Sequence, residues 1–159
     1  MPITLDDLTV RIDHLDRGTL LADWQWRIGP DRFPILATAM GNAFVRDAAT
    51  GAVALLDVGT GELIEIADSV DAFRSLLDDA VFVGEHFLVN DWIAVREAGK
   101  VLASGQVFGY IQPPALGGAF EPDNLEPTDI AVHFSVNGQI HRQVQDLPDG
   151  ASIDSIKIA

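Results

Sequence analysis

The sequence predicts an α+β fold, with N-terminal helices first and then an antiparallel β-meander on which further helices pack. Three observations predict it. Leu5, Leu8, Ile12 and Leu15 recur at helical spacing near the start. From Pro34 the period drops to about two, in short runs separated by Gly- and Asp-rich turns. After residue 67 the helical period returns. With 159 residues and 48% apolar content, the chain is expected to form a single domain over residues 1–159 with a sizeable core.

The elements follow in order. Thr4 can accept the free amide hydrogens of a first helical turn, and Asp6 and Asp7 suit its positive end. This predicts an N-terminal helix within residues 1–18, broken by Gly18. Thr19 is the candidate cap of a second short helix carrying Leu20, Leu21, Trp24 and Ile28, and Gly29-Pro30-Asp31 is a turn. Residues 35–40, 42–46, 53–58 and 62–67 read as strands. Ser69 is placed to cap a helix whose stripe is Phe73, Leu76 and Leu77. A single long helix is expected over residues 83–98, with Phe87, Leu88, Trp92 and Val95 inward and Gly99 as its stop. Residues 106–111 form another strand, which Pro113-Pro114 ends. A loop runs from there to about Pro127, and residues 148–159 are expected to be a loosely held tail.

Residues 130–144 admit two readings. Ile130, Val132, Phe134 and Val136 alternate, and Asn137-Gly138 then offers a type I′ turn, which points to a hairpin. The rival is a helix capped by Asp129, with Ile130, His133, Phe134, Ile140, His141 and Val144 near helical spacing. An Asn-Gly pair inside that helix would cost about 1–2 kcal/mol against alanine. Local physics favours the hairpin.

Charge narrows the function. The formal net charge is −14. Residues 47–91 hold ten acids against one base, Arg74. Phosphate neutralisation needs clustered Lys and Arg, so nucleic-acid binding is disfavoured. A field of this sign steers a basic partner and also aids solubility. No apolar run reaches the roughly 18 residues that span a membrane. The first residues show no basic and apolar leader, so a cytoplasmic protein is expected. The absence of cysteine excludes disulfides and thiol nucleophiles.

No catalytic constellation stands out. His14, His86, His133 and His141 form no metal-ligand pair at close spacing, and a bound metal or cofactor is not expected. Val58-Gly59-Thr60-Gly61-Glu62 lacks the lysine, third glycine and following helix of a phosphate loop and reads as a hairpin turn. Ser104 and Ser135 sit in no nucleophile elbow. Trp24 and Trp26, two apart, cannot share one helix face, which leaves one for solvent or a partner. Pro113-Pro114-Ala115-Leu116-Gly117-Gly118 reads either as a loop that buries Leu116 or as a presented recognition loop.

Several blocks together carry a family resemblance. They are Leu21-Ala22-Asp23-Trp24-Gln25-Trp26, Asp57-Val58-Gly59-Thr60-Gly61-Glu62-Leu63, Phe73-Arg74-Ser75-Leu76-Leu77 and Gly109-Tyr110. Pro113-Pro114-Ala115-Leu116-Gly117-Gly118, Asn124-Leu125-Glu126, His133-Phe134 and Gln139-Ile140-His141 complete the set. Over about residues 20–147 the chain resembles a bacterial family once grouped as a domain of unknown function. That family is now named after the C-terminal domain of an immunity protein that neutralises a type VI secretion DNase effector. The domain often follows a GAD-like segment and is similar to the SUKH immunity superfamily. The resemblance implies an α+β fold, a helix at residues 130–144, and binding rather than catalysis.

The expected function is thus a non-enzymatic, immunity-type binding protein that neutralises a basic toxin, a nuclease among the candidates, through an acidic face. The residues expected to meet the partner are Asp57, Glu62, Glu65, Asp68, Asp71, Trp26 and Leu116. Two rivals stand beside this. One is a regulatory or scaffold domain binding an endogenous protein through residues 113–118. The other is a small-ligand binder or enzyme with a cleft near His133 and His141. Apolar, Trp-bearing surface would equally serve a homodimer.

Overall fold

A computed structural model describes residues 2–148 and 150–159. Its centre is a five-stranded antiparallel meander, β1 (Thr9–Val10), β2 (Arg32–Thr38), β3 (Ala43–Asp47), β4 (Val53–Asp57) and β5 (Glu62–Ala67), paired in chain order. A separate antiparallel pair joins β6 (Gln106–Tyr110) to β7 (Leu125–Asp129). The helices are α1 (Leu5–Leu8), α2 (Arg17–Leu20), α3 (Gln25–Ile28), α4 (Val70–Leu76), α5 (Ala80–His86), α6 (Val89–Glu97) and α7 (Ile130–Val144). The α+β architecture read from the sequence is the one observed.

The alternation of the strands builds two cores on the two faces of the meander. Ala37, Ala43, Val45, Ala54 and Leu56 meet Trp24, Ile28, Ile130 and Phe134 on one face. Phe44, Val53 and Leu55 meet Phe73, Phe82 and Phe87 on the other. Helix α7 with the α2–α3 segment thus covers one face, and α4 with α5 covers the opposite one. A third cluster of Met40, Val95, Phe108 and Leu125 fastens α6 and the β6–β7 pair to the edge of the fold. A backbone bond from Phe108 N to Ala39 O, at 2.8 Å, ties that pair to the meander. Because the Phe108 amide points there, its register partner Pro127 has no ladder bond to lose, and proline is tolerated inside β7. β7 begins within the stretch where the sequence predicts a loop to about Pro127.

Three further expectations are corrected. The N-terminal helix does not reach residue 18. After one turn, Thr9 and Val10 become extended and pair with Thr38 and Ala37. Leu8 O accepts from Ala39 N at 2.8 Å, so sheet pairing takes over from helix propagation. Gly18 lies inside α2, whose cap is Asp16 rather than Thr19. The long helix expected over residues 83–98 is two helices, because Leu88 adopts a left-handed backbone, φ 53° and ψ 50°. The break lets Phe87 face the sheet while Val95 faces Phe108.

Residues 130–144, where local physics favours a hairpin and the family resemblance a helix, form a helix. Asp129 caps it, its side chain accepting from Val132 N. Gly138 is where α7 crosses the α2–α3 segment: a β-carbon there would lie 2.6 Å from Asp23 O. The glycine that suggested a turn is therefore there to let two backbones touch. Asn137 stays in the helix, its side-chain amide donating to His133 O at 2.8 Å.

The end of the chain has no regular secondary structure, yet it is tied to α7. Gln143 donates to Lys157 O at 2.7 Å and accepts from Lys157 N at 3.0 Å. Gln139 accepts from Ala159 N at 2.7 Å. The expectation of a loosely held tail extends over Asp149, which lies outside the described residues. No helix among the described residues is long and apolar enough to cross a membrane.

Candidate functional site

The acidic residues divide by job. Asp47 accepts from Ala49 N and Thr50 N, which closes the β3–β4 turn and holds its carboxyl below the usual carboxylate range. Asp79 caps α5 by accepting from Val81 N and Phe82 N. Asp57 accepts from Thr60 N at 3.2 Å in the β4–β5 turn. These three stabilise turns and helix starts.

The remaining acids singled out by sequence form a ridge along β5 and the start of α4. Glu62 and Glu65 are exposed on β5, and Asp68 and Asp71 are exposed around the N-terminus of α4. Ser69 caps that helix through Ala72 N. Glu65 lies 3.4 Å from Arg32, and Asp71 lies 3.7 Å from Arg74. Among the described residues neither Glu62 nor Asp68 has a cation within 4.0 Å. Glu65 and Asp68 border a shallow groove with Ala72 and Leu76.

Asp57 belongs to a different surface. It edges a cleft of about 150 Å³ between the β4–β5 turn, the start of α6 and β6. Asp91, in the first turn of α6, edges it as well. Tyr110 and Phe120 wall it, with ring centroids 5.7 Å apart in an edge-to-face arrangement. Burial, then the nearby Asp91 and Asp57 carboxylates, push the Tyr110 hydroxyl up to about 12. The left-handed turn at Leu88 sets the direction in which α6 starts and hence the position of Asp91. Asp91 belongs to the acidic run and Tyr110 to a family-like motif, but nothing in the sequence pattern marks either as a site residue. Phe120 carried no signal, because nothing in its sequence neighbourhood marks which loop residue will stand upright.

A larger groove of about 500 Å³ adjoins this cleft across Gly59, Thr60 and Phe120. Trp26 and His141 line it. Trp26 is half-buried and stacks on the fully buried Trp24, 5.8 Å between centroids. The two rings meet despite their spacing because a 3-10 turn over Ala22–Trp24 changes the helical phase before α3. Both indoles donate to α7, Trp24 to Phe134 O and Trp26 to Gly138 O. Leu116 is half-buried in a 3-10 turn, Pro114–Leu116, and borders neither cleft. Its loop is closed by Asn124, which donates to Gln112 O and Ala119 O and accepts from Gln112 N. The seven predicted contact residues thus fall on separate surfaces, with only the ridge acids grouped together.

The two helix histidines serve the fold. The His133 ring donates through Nε2 to Gly41 O, and the His141 ring donates through Nε2 to Val58 O, each at 2.8 Å. Burial pulls both imidazoles below the ordinary histidine range. His141 packs on Trp24 and against Gly61, where a β-carbon would lie 2.6 Å from Nδ1. Each ring borders a different one of the two clefts, so they do not converge on one reacting centre. Among the described residues no group of three or more His, Asp or Glu is placed to hold a metal ion.

Residues 67–141 match the profile of a family described as T6SS immunity protein Tdi1, C-terminal. Over that stretch the chain is similar to this family. It is the family that the motif blocks resemble. The match is just under half of the chain and runs from the end of β5 into α7. It takes in Asp91, Tyr110, Phe120 and both helix histidines, while the β4–β5 turn with Asp57 lies before it. No match was found among curated proteins.

Proposed function

We propose that this chain is a non-enzymatic binding protein of the immunity type, which neutralises a basic effector toxin in the cytoplasm by covering it with an acidic face. A nuclease is the toxin class that fits best, because an enzyme acting on nucleic acid needs a basic cleft. The observation that supports the reading is the ridge of Glu62, Glu65, Asp68 and Asp71, which straddles the start of the segment matching the immunity family. These carboxylates stand on a strand and a capped helix start, so little ordering opposes binding. A dense field of one sign also speeds encounter with an oppositely charged partner.

The test uses the full chain and a variant carrying Glu62→Lys, Glu65→Lys, Asp68→Lys and Asp71→Lys. Both are titrated against a basic type VI effector toxin of the source organism at low and high salt, and co-expressed with it. The expected result is growth protection by the natural sequence, binding that weakens with salt, and an affinity loss of about tenfold or more in the variant. Absence of protection against every such effector would sink the immunity reading. Equal binding by a folded variant would sink the acidic face alone.

A further inference from the structure

We propose that the cleft edged by Asp57 and Asp91 and walled by Tyr110 and Phe120 is a socket for one arginine side chain of the protein partner. The inference rests on the immunity-type reading for the identity of that partner, but its geometry is independent of the acidic ridge.

Size argues for a side chain. At about 150 Å³ the cleft is smaller than the roughly 300–1,000 Å³ of sites that enclose small-molecule ligands. Chemistry argues for a cation. Asp57 and Asp91 are both half-buried, and among the described residues neither has a cation within 4.0 Å. No Lys or Arg lines the cleft. Two carboxylates at the mouth of a low-dielectric recess focus negative potential into it. Burial first, and then this field, raises the Tyr110 hydroxyl.

The walls argue for arginine over lysine. Phe120 is 59% exposed and stands edge-to-face against Tyr110. With Tyr110 it offers aromatic surface on which a planar guanidinium can stack, while its fork of N–H donors reaches carboxylates on the rim. A buried arginine ringed by aromatic contacts is a common form of interface anchor. The cleft shares Gly59, Thr60 and Phe120 with the larger groove, so the anchor would sit beside a surface on which the partner's neighbouring residues can lie.

The experiment uses two probes. The first is the blocked tripeptide acetyl-Gly-Arg-Gly-amide, with its citrulline counterpart as the uncharged isostere. Each is titrated at millimolar concentration into the isotope-labelled full chain while amide shifts are followed. The arginine peptide should shift the amides of Thr60, Asp91, Tyr110 and Phe120. The citrulline peptide should leave them in place, and the Asp57→Asn, Asp91→Asn double variant should abolish the response. The carboxamide introduced by Asp57→Asn retains an oxygen to accept from Thr60 N, so the turn survives. The second probe is the effector toxin, whose affinity for the double variant should fall about tenfold or more. Equal shifts from both peptides, or none from either, would overturn the socket, as would an unchanged toxin affinity in a folded double variant. Arginine-peptide shifts at the cleft in a chain that protects against no effector would uphold the socket and overturn the immunity reading instead.

Discussion

Replacing Gly138 by alanine sets two physical effects against each other, and the structure says which wins. In an exposed helix interior, Gly→Ala stabilises by about 0.8–1.0 kcal/mol. At position 138 the added β-carbon would lie 2.6 Å from Asp23 O, 2.8 Å from Asp23 C and 3.0 Å from Asp23 Cβ. Ordinary contact begins at 3.4 Å, so α7 and the α2–α3 segment must separate, and the nearest atoms are backbone that cannot swing aside. Three hydrogen bonds span this crossing: Ser135 Oγ donates to Asp23 Oδ2 at 2.6 Å, Trp24 Nε1 to Phe134 O at 2.8 Å and Trp26 Nε1 to Gly138 O at 3.2 Å. Overpacking costs about 1–3 kcal/mol, and strain shared over these bonds adds about 1 kcal/mol in all. After the propensity gain is deducted, Gly138→Ala should destabilise by about 1–3 kcal/mol. Gly84 supplies the control. It lies inside α5, and a β-carbon there would meet nothing within 4 Å. Gly84→Ala should therefore stabilise by about 0.5–1 kcal/mol. Urea unfolding measures both, and thermal midpoints should move by about 2–4 °C per kcal/mol in opposite directions. If Gly138→Ala matches or exceeds the parent while Gly84→Ala stabilises, the close crossing of α7 is wrong.

Two other outcomes follow from the same contacts. Burial depresses the His133 and His141 imidazoles, so the unfolded chain binds protons before the folded one does. Stability is then full above the unfolded value of about 6.5 and is lost as pH falls through it toward the lowered folded values. Unfolding free energy measured between about pH 7 and pH 5 should fall, and His133→Asn should flatten that slope; an unchanged slope would refute the assignment. Asn124→Ala removes the side chain that closes the loop over residues 112–124, so limited proteolysis within residues 113–121 should speed up while the sheet keeps its hydrogen-exchange protection. Unchanged cleavage would show that the loop is held by other contacts.

Much of the fold was legible because it rests on local rules. The β2–β5 meander follows from period-two alternation and from turns built by Asp and Gly, and Ser69 caps α4 as its sequence setting implies. The misses share a cause. Thr9 and Val10 leave the helix because Thr38 and Ala37 are there to pair with them. Leu88 turns left-handed because the residues on its two sides serve different cores. Pro127 enters a strand because its partner's amide is already committed to Ala39. None of these partners is near in sequence. The candidate site divides the same way: the ridge acids were visible as a charge run, whereas the cleft joins Asp57, Asp91, Tyr110 and Phe120 from four separated segments.

By itself, the sequence determined the α+β class, the order of the meander strands, the acidic charge and the likeness to a type VI immunity family, since each depends on composition, short-range periodicity or motifs. Between helix and hairpin at residues 130–144, where the local rules and the resemblance disagree, the tertiary contacts supply the physical reason for the helix. Asn137-Gly138 obeys a local turn rule, but the contact of Gly138 with the Asp23 backbone, the Trp24 and Trp26 indoles on α7 carbonyls, and the burial of Ile130, Phe134 and Ile140 are all long-range. Together they outweigh a local preference of about 1–2 kcal/mol, and no reading of neighbours along the chain could have weighed them.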